Sequence, residues 1–252
     1  MQIARFRKSG HGAVYGMVKD DYLRVLVASP FDGMIVATSE TCGFDEVEFL
    51  PPCEPEKIVA VGLNYKDHAE EIGMEQPDKP LIFLKPPSAL IGSNSSIILP
   101  EESSRVDYEA ELGIVIGKKA HQVSEQDADK YIFGYTCIND VTARDIQRED
   151  TQFTRAKSFD TFCPAGPWIE TELDPSDLAI TCMVNGKKRQ ASRTSRMIHS
   201  PQALVSFISG IMTLVPGDII ATGTPPGVGG LNHGDQVTVS IEGIGELVNT
   251  VI

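Results

Sequence analysis

A chain of 252 residues, 41% of them hydrophobic, can bury a sizeable core as one large domain or as a large domain with a small one. It has no long uncharged apolar stretch, and its start, MQIARFRKSG, lacks the apolar centre of a signal peptide. We therefore expect no membrane span and a cytoplasmic location. The formal net charge of −13 disfavours nucleic-acid binding, because such binding needs Lys and Arg to neutralise phosphates.

The cysteines argue against two kinds of small-domain scaffold. They are odd in number and form no CxxC pair, so neither a disulfide framework nor a zinc ribbon is expected. Free cysteine is usually an interior residue, and we expect these side chains to be reduced and mostly buried. They are Cys42, Cys53, Cys137, Cys163 and Cys182.

The first fifty residues predict short strands separated by turns. The strand segments VYGMVKD, YLRVLVAS and GMIVAT are rich in β-branched and aromatic residues. The segment LPPCEP (50–55) cannot form regular structure, because proline removes backbone donors and fixes φ. It indicates a linker between a small N-terminal domain, 1–52, and the main domain, 53–252.

The rest of the chain alternates strands with a few short helices. Strands are predicted at KIVAVGL, PLIFLKP, SIILP, YEAELGIVIG, FGYTCIND and GDIIATG, and short helices at NYKDHAEEI, SEQDADKY and VTARDIQRED. Asn185-Gly186 predicts a type I′ hairpin turn, Ser200-Pro201 begins a helix, and QVTVSIEGIGELVNTVI closes the chain as a hairpin. The expected fold class is α+β, mostly β, with few short helices.

Three carboxylates form the first candidate site. Glu109 and Glu111 lie two apart on a predicted strand, so both side chains would leave the same face. Asp140 ends another predicted strand and could supply a third oxygen. Carboxylates without nearby Cys or His favour Mg²⁺ or Mn²⁺ over Zn²⁺. The alternative is an edge strand with a solvated acidic face, since short motifs often occur by chance.

A possible acid–base pair and a possible buried lysine come next. His68 and Glu71 are three apart on a predicted helix, so Glu71 can orient the His68 ring as a general base; an exposed histidine is the alternative. Lys157 stands beside aromatic and apolar residues, which favours a desolvated catalytic or anion-binding lysine, although a surface lysine is the alternative.

The glycine-rich segment TGTPPGVGG (222–230) does not fit a nucleotide-binding loop. It lacks the Gly-Lys-Ser/Thr ending of a P-loop and does not open a helix after Gly-x-Gly-x-x-Gly. Its backbone N–H groups and the Thr224 hydroxyl could still bind a carboxylate. A tight structural turn is the alternative interpretation.

In combination and in this order, several segments resemble the fumarylacetoacetate hydrolase family. They are GLNYKDHAEE, PLIFLKPPSAL, VDYEAELGIVIG, GYTCINDVTARDIQ, AKSFDTFCPAGPW and PGDIIATGTPPGVG. The resemblance runs from about Lys57 to the C-terminus and looks strongest to the smaller members: acylpyruvate hydrolases, oxaloacetate decarboxylases and the hydroxyheptadienedioate isomerase group. It implies a mixed β-roll around a metal site, usually in a homodimer. The first fifty residues resemble the small N-terminal domain of some members.

The resemblance also implies a role for each candidate residue. The metal ligands for Mg²⁺ or Mn²⁺ fall on Glu109, Glu111 and Asp140, and the catalytic positions on His68, Glu71 and Lys157. Substrate-contacting positions fall on Lys85, Arg144, Gln147 and Thr224. The implied substrate is a small 2-oxo or enolisable carboxylic acid that reacts through a metal-bound enolate. Hydrolytic C–C cleavage of an acylpyruvate comes first, with oxaloacetate decarboxylation or dienedioate isomerisation as alternatives.

Two further interpretations remain open from the sequence. Carboxylate clusters with Mg²⁺ also serve phosphoryl transfer, although the acidic composition argues against a nucleic-acid substrate. A non-catalytic, metal-stabilised protein is the other, because motifs do not guarantee function. That alternative predicts the loss of the acid–base pair or of the lysine, whereas His68, Glu71 and Lys157 are all present.

Overall fold

The computed structural model describes residues 1–8, 10 and 12–252. The strands of that part of the chain are β1 Gln2–Lys8, β2 Ala13–Lys19, β3 Tyr22–Leu26, β4 Ala37–Gly43, β5 Val47–Phe49, β6 Ile58–Gly62, β7 Leu81–Lys85, β8 Leu90–Ile91, β9 Ser96–Ile97, β10 Val106–Tyr108, β11 Ala110–Ile116, β12 Ile132–Asn139, β13 Thr142–Ala143, β14 Cys163–Glu170, β15 Ala179–Val184, β16 Lys187–Arg193, β17 Ile219–Ala221, β18 Gly229–Gly230, β19 Gln236–Ile241 and β20 Gly245–Val251.

The helices are few and short. The α-helices are α1 Lys66–Ile72, α2 Arg144–Glu149, α3 Thr154–Lys157 and α4 Pro201–Ser209. Short 3-10 helices lie at Phe44–Glu46, Pro87–Ala89, Glu125–Lys130, Pro175–Asp177 and Thr194–Arg196. In the described part of the chain, none of the helices has both the length and the apolar character needed to span a bilayer. The mostly β architecture with few helices confirms the predicted fold class.

The strands assemble into three sheets. A 12-stranded sheet runs in the order β4-β3-β2-β1-β14-β12-β11-β17-β6-β7, with β5 pairing β1 and β8 pairing β14. A five-stranded sheet has the order β16-β15-β19-β20-β9, and a three-stranded one the order β13-β10-β18. Apolar side chains of β11 and of β19 and β20 meet in one buried cluster, which also takes the inner face of α4. The core therefore lies between the two larger sheets.

The N-terminal strands continue the large sheet. Strand β1 pairs with β14 through Gln2 and Ile3, so the first strands share a hydrogen-bonded edge with the main body. The segment 50–57 between them has no helix or strand, as its prolines predict, yet Cys53 within it is buried. The five cysteines are all free and buried, as expected.

Two local predictions were wrong in part. The segment GMIVAT was predicted as a strand, but β4 begins only at Ala37, and Met34 is 90% exposed. The strand YEAELGIVIG is interrupted at Glu109, where the chain leaves β10 and enters β11. The short helix predicted at SEQDADKY is present as the 3-10 helix Glu125–Lys130, where the Ser124 hydroxyl donates to Asp127 and makes no cap hydrogen bond.

Turn and cap chemistry was predicted correctly where single residues decide it. Asn185 and Gly186 both have positive φ, as a type I′ hairpin requires, and join β15 to β16. The Ser200 hydroxyl accepts a hydrogen bond from Ala203 N at the start of α4. Gly73 ends α1 in the left-handed conformation at φ 66°.

Gly73→Ala is expected to lower the free energy of unfolding by about 1 kcal/mol, the usual cost of left-handed backbone for a residue with a Cβ. Among the described residues, no atom lies within 4 Å of the place that an added methyl group would take, so the loss would be conformational and not steric. Gly12→Ala is the control, because that site is equally open without a positive φ. Denaturant unfolding of both variants measures the difference; equal stabilities would contradict the cap assignment.

Candidate metal centre and active site

Three buried carboxylates converge at the break between β10 and β11. One oxygen from each of Glu109, Glu111 and Asp140 lies within 4.8 Å of the others. The break itself is held by two backbone contacts: Glu109 N donates to the Asn139 side chain at 2.9 Å, and Asp140 N donates to Glu109 O at 2.8 Å. The sequence prediction that these three side chains meet is therefore consistent with the structure, although Glu109 lies outside the strand.

Two buried lysines neutralise part of this cluster. Lys157 Nζ donates to Glu109 Oε2 at 2.7 Å and to Asp140 Oδ2 at 2.6 Å. Lys85 Nζ donates to the other oxygen of Asp140 at 2.5 Å. Burial alone would lower the pKa of Lys157, but Asp140, Glu109 and Glu111 outweigh burial and raise it, so the ammonium stays charged. Lys157 is thus the desolvated lysine that its apolar neighbours predicted.

Glu111 and Glu109 differ in how far neighbouring positive charges compensate the cost of burying the carboxylate. Burial would raise the pKa of Glu109, but the charges of Lys157 and Arg144 outweigh it and hold that pKa well below its ordinary value. Burial, Asp140 and Glu109 all raise the pKa of Glu111. Its one hydrogen bond among the described residues comes from Gly223 N, at 2.8 Å. Among the described residues no cation contacts Glu111, whereas Glu109 and Asp140 are each paired with two.

The donor set fits a hard divalent cation. Carboxylate oxygens without a cysteine or histidine ligand are what Mg²⁺ and Mn²⁺ prefer. Three buried polar atoms lack a hydrogen-bond partner among the described residues: Asn139 Nδ2, Ser158 Oγ and the Tyr65 hydroxyl. Asn139 precedes Asp140 and Ser158 follows Lys157 in the chain, and burial, then the charge of Glu111, raises the pKa of Tyr65. Ordered water is one common partner of such atoms.

Arg144 connects the carboxylates to α2. Its guanidinium donates to Glu109, to Asp107 Oδ2 at 2.8 Å and to Gln147 Oε1 at 2.5 Å. Asp107 also accepts from Arg105 Nε at 3.0 Å and is 1% exposed. Asp107 was not among the predicted site residues, although it is a third acidic residue at the spacing of Glu109 and Glu111.

His68 and Glu71 form the predicted pair on α1. His68 Nδ1 lies 2.9 Å from Glu71 Oε2, which leaves Nε2 free of that contact. The Glu71 carboxylate also accepts from Gly227 N at 3.1 Å, so it joins α1 to the loop TPPGVGG. Asp67 reinforces this docking, because it accepts from the Ser192 hydroxyl at 2.6 Å.

One cavity of about 310 Å³ brings most of the candidate residues together. Its polar wall contains His68, Glu109, Glu111, Arg144, Gln147, Lys157 and Thr224. Its apolar wall contains Val61, Leu63, Ile72, Met74, Leu81, Phe83 and Phe153. These residues were not predicted as site residues, because in the sequence they look like ordinary core positions. Polar groups converge at one side of a mostly apolar cleft, which is the usual construction of a small-molecule site.

Two residues that were predicted to contact the substrate, Lys85 and Thr224, already bond to other protein groups in the structure. Lys85 does not line the cavity: it is 1% exposed, and its ammonium reaches Asp140, so it positions that carboxylate. Thr224 does line the cavity, but its hydroxyl already donates to Ala110 O at 2.9 Å and accepts from Gln190 Nε2 at 2.8 Å. Gln190 is fully buried between exposed lysines and arginine of β16, and no sequence signal identified it.

Two known families match nearly all of the chain. Residues 57–252 match the family described as fumarylacetoacetate (FAA) hydrolase C-terminal, and residues 1–52 match the one described as Rv2993c-like, N-terminal. An oxaloacetate tautomerase from mitochondria of Rattus norvegicus is 44% identical over 82% of this chain and 70% of its own.

Two solved structures extend the comparison. The 5-carboxymethyl-2-hydroxymuconate delta-isomerase of Mycobacterium smegmatis has a TM-score of 0.94 at 43% identity, over 100% of this chain and 99% of its own. The fumarylacetoacetate hydrolase of the psychrophilic Exiguobacterium antarcticum has a TM-score of 0.90 at 36% identity, over the same shares. The chain therefore belongs to the fumarylacetoacetate hydrolase family.

Proposed function

We propose that this chain is a divalent-metal-dependent enzyme that forms the enol or enolate of a small 2-oxo carboxylic acid. One observation carries the proposal: a single cavity is lined by the carboxylates Glu109 and Glu111, the buried Lys157 and the free face of His68. Such a cavity can stabilise negative charge at one end of a substrate and move a proton at the other.

Each residue has a defined part in this proposal. Glu109, Glu111 and Asp140 would hold Mg²⁺ or Mn²⁺, which supplies Lewis-acid polarisation of a 2-oxo acid. Lys157 adds a fixed positive charge where the substrate carbonyl oxygen becomes negative. His68 exchanges the proton through Nε2, because Nδ1 is engaged by Glu71. Arg144 and the free amide nitrogen of Gln147 contact a substrate carboxylate.

The relatives support an order among the possible reactions. The tautomerase and the isomerase are 44% and 43% identical to this chain, and the fumarylacetoacetate hydrolase is 36% identical. We therefore place proton transfer first, as enol–keto tautomerisation of oxaloacetate or isomerisation of a related dienol. Hydrolytic C–C cleavage of an acylpyruvate is the second candidate, since the His68–Glu71 pair could equally activate water. Oxaloacetate decarboxylation shares the same enolate.

The test uses chelator-stripped protein with and without added Mg²⁺ or Mn²⁺. Enol oxaloacetate is followed by loss of its ultraviolet absorbance, CO₂ release is measured in parallel, and acylpyruvates are screened for cleavage. Metal-dependent loss of enol absorbance without CO₂ supports tautomerisation, and acylpyruvate cleavage supports hydrolysis. Absence of metal-dependent turnover on all these acids would leave the phosphoryl-transfer and non-catalytic interpretations, which a generic phosphate ester separates.

His68→Ala is expected to lower tautomerisation and hydrolysis by about 10²- to 10⁴-fold, the usual contribution of a positioned acid–base group. Decarboxylation should be spared, because loss of CO₂ needs no base to form the enolate. His233→Ala, an exposed histidine outside the cavity, is the control. Steady-state rates on the three reactions measure this; an equal loss of decarboxylation would contradict the assigned division of roles.

The assembly and the cellular location stay predictions. A homodimer is implied by the family resemblance, and a cytoplasmic location by the sequence. Sedimentation of the metal-loaded protein tests the first directly.

A further inference from the structure

A second cavity of about 310 Å³ adjoins the first, on the far side of His68 and Arg144. His68, Ile72 and Arg144 line both cavities, so the two are separated by single side chains. The remaining lining residues of the second cavity are Glu71, Arg105, Asp107, Arg148 and Val228. The proposed function makes no use of Arg105 or Arg148.

The backbone fixes three arginines around this cavity. Arg144 and Arg148 lie four apart on α2, so they project from the same helix face. Arg105 precedes β10, and its carbonyl accepts a hydrogen bond from Arg144 N at 2.7 Å, which ties the two segments together. Like charges four apart destabilise a helix by several tenths of a kcal/mol, so the charge of Arg148 does not help to stabilise α2.

One arginine of this cavity, Arg148, has no charged partner among the described residues. Asp107 is shared between Arg105 and Arg144, and Glu71 bonds His68 and Gly227 N. Throughout residues 1–8, 10 and 12–252, no carboxylate pairs with Arg148, and its side chain makes no hydrogen bond. Arg148, which is exposed, therefore offers an unpaired positive charge beside the active cavity, in a chain whose net charge is −13.

We infer that Arg148 and Arg105 bind a second carboxylate, at the end of the substrate away from the metal-binding carboxylates. This inference rests on the proposed function, because it assumes that the 2-oxo acid end occupies the first cavity. A guanidinium matches a carboxylate through two parallel hydrogen bonds, and Arg148 has all its donors available. The preferred substrates are then 2-oxo acids with a terminal carboxylate, long enough to extend past His68.

Binding of a matched pair of acids tests the subsite without requiring turnover. The probes are 2-oxohexanedioate and 2-oxohexanoate, which have equal length and differ in the terminal carboxylate, titrated calorimetrically into Mg²⁺-loaded protein. The dicarboxylate should bind wild type about 10- to 100-fold more tightly, as expected for hydrogen bonds between charged groups. Arg148→Gln should remove most of that advantage and leave the monocarboxylate unchanged.

Two control variants sharpen the comparison. Arg148→Lys should keep part of the preference, because lysine retains the charge but not the paired donors. Arg7→Gln removes the same charge from an exposed position of β1, where Arg7 pairs with Glu48 at 3.3 Å, and should change neither affinity. A four- to seven-carbon dicarboxylate series then locates the length at which the Arg148 effect is largest.

The outcomes separate the subsite from the proposed reaction. Two results overturn the subsite, regardless of which reaction the enzyme catalyses. One is equal affinity of the wild type for both acids, and the other is an equal loss of affinity for both acids in Arg148→Gln. A dicarboxylate preference that depends on Arg148, in a protein without turnover, upholds the subsite and overturns the proposed reaction. Failure of both acids to bind overturns the two together.

Discussion

Glu111→Gln is expected to weaken Mg²⁺ binding by more than about 100-fold, since even partners outside the ligand shell contribute 10- to 100-fold. The same change should raise the melting temperature of metal-free protein by roughly 2–4 °C, the shift that about 1 kcal/mol produces in a chain of this size. The reason is that Glu111 faces Asp140 and Glu109 in a buried cluster and has no cation of its own. A carboxamide would still accept from Gly223 N while donating to those carboxylates.

Glu109→Gln is the matched control for this prediction. It should also lose metal binding, but it should lower metal-free stability, because Lys157 and Arg144 would each lose a buried partner. Scanning calorimetry with chelator and with Mg²⁺ measures both effects. The charge assignment is wrong if the two variants shift the metal-free melting temperature in the same direction.

Lys157→Met is expected to lower kcat by about 10²- to 10³-fold, the usual effect of removing a group that stabilises a developing negative charge. It should also lower the free energy of unfolding by about 3–5 kcal/mol, because Glu109 and Asp140 would keep buried charges with one cation fewer. Saturating Mg²⁺ should restore part of the stability, since the ion neutralises the same carboxylates, but not the rate.

Lys85→Met separates the structural role of a lysine from the catalytic one. Lys85 contacts the same aspartate and is equally buried, but it does not line the cavity. Its loss should destabilise the protein and weaken metal binding, whereas kcat at saturating Mg²⁺ should fall far less than in Lys157→Met. Matching losses of kcat in the two variants would contradict a direct role for Lys157.

The sequence predicted best those features that single residues decide. Asn185-Gly186 required positive φ at both positions, and Ser200 required a free backbone donor, so neighbours elsewhere in the fold had no influence on either. The prediction at GMIVAT failed in part because Met34 and Val36 are exposed, and only the last two residues, Ala37 and Thr38, belong to a strand. The break at Glu109 could not be predicted, because it follows from β10 and β11 pairing with different sheets.

The candidate site could likewise be predicted where single residues and their spacing decide it, but not where the packing of distant segments does. Residue types and spacing indicated a carboxylate cluster, an acid–base pair and a desolvated lysine. Of these groups, Glu109, Glu111, His68 and Lys157 line one cavity. Spacing could not show that Lys85 stands behind Asp140, or that Gln190 and Ala110 already occupy the Thr224 hydroxyl. Those contacts join residues far apart in the chain, so only the packed sheets determine them.

The two hydrogen bonds of Glu71 have a consequence for the timing of the reaction. One carboxylate orients His68 and also fastens α1 to Gly227, on the loop across the cleft. A displacement of α1 that admits substrate must therefore break the contact with Gly227 and move the base away from the reacting carbon. Substrate entry and proton transfer could then not take place at the same time. A reactive enol would contact His68 only while it is shielded from bulk solvent.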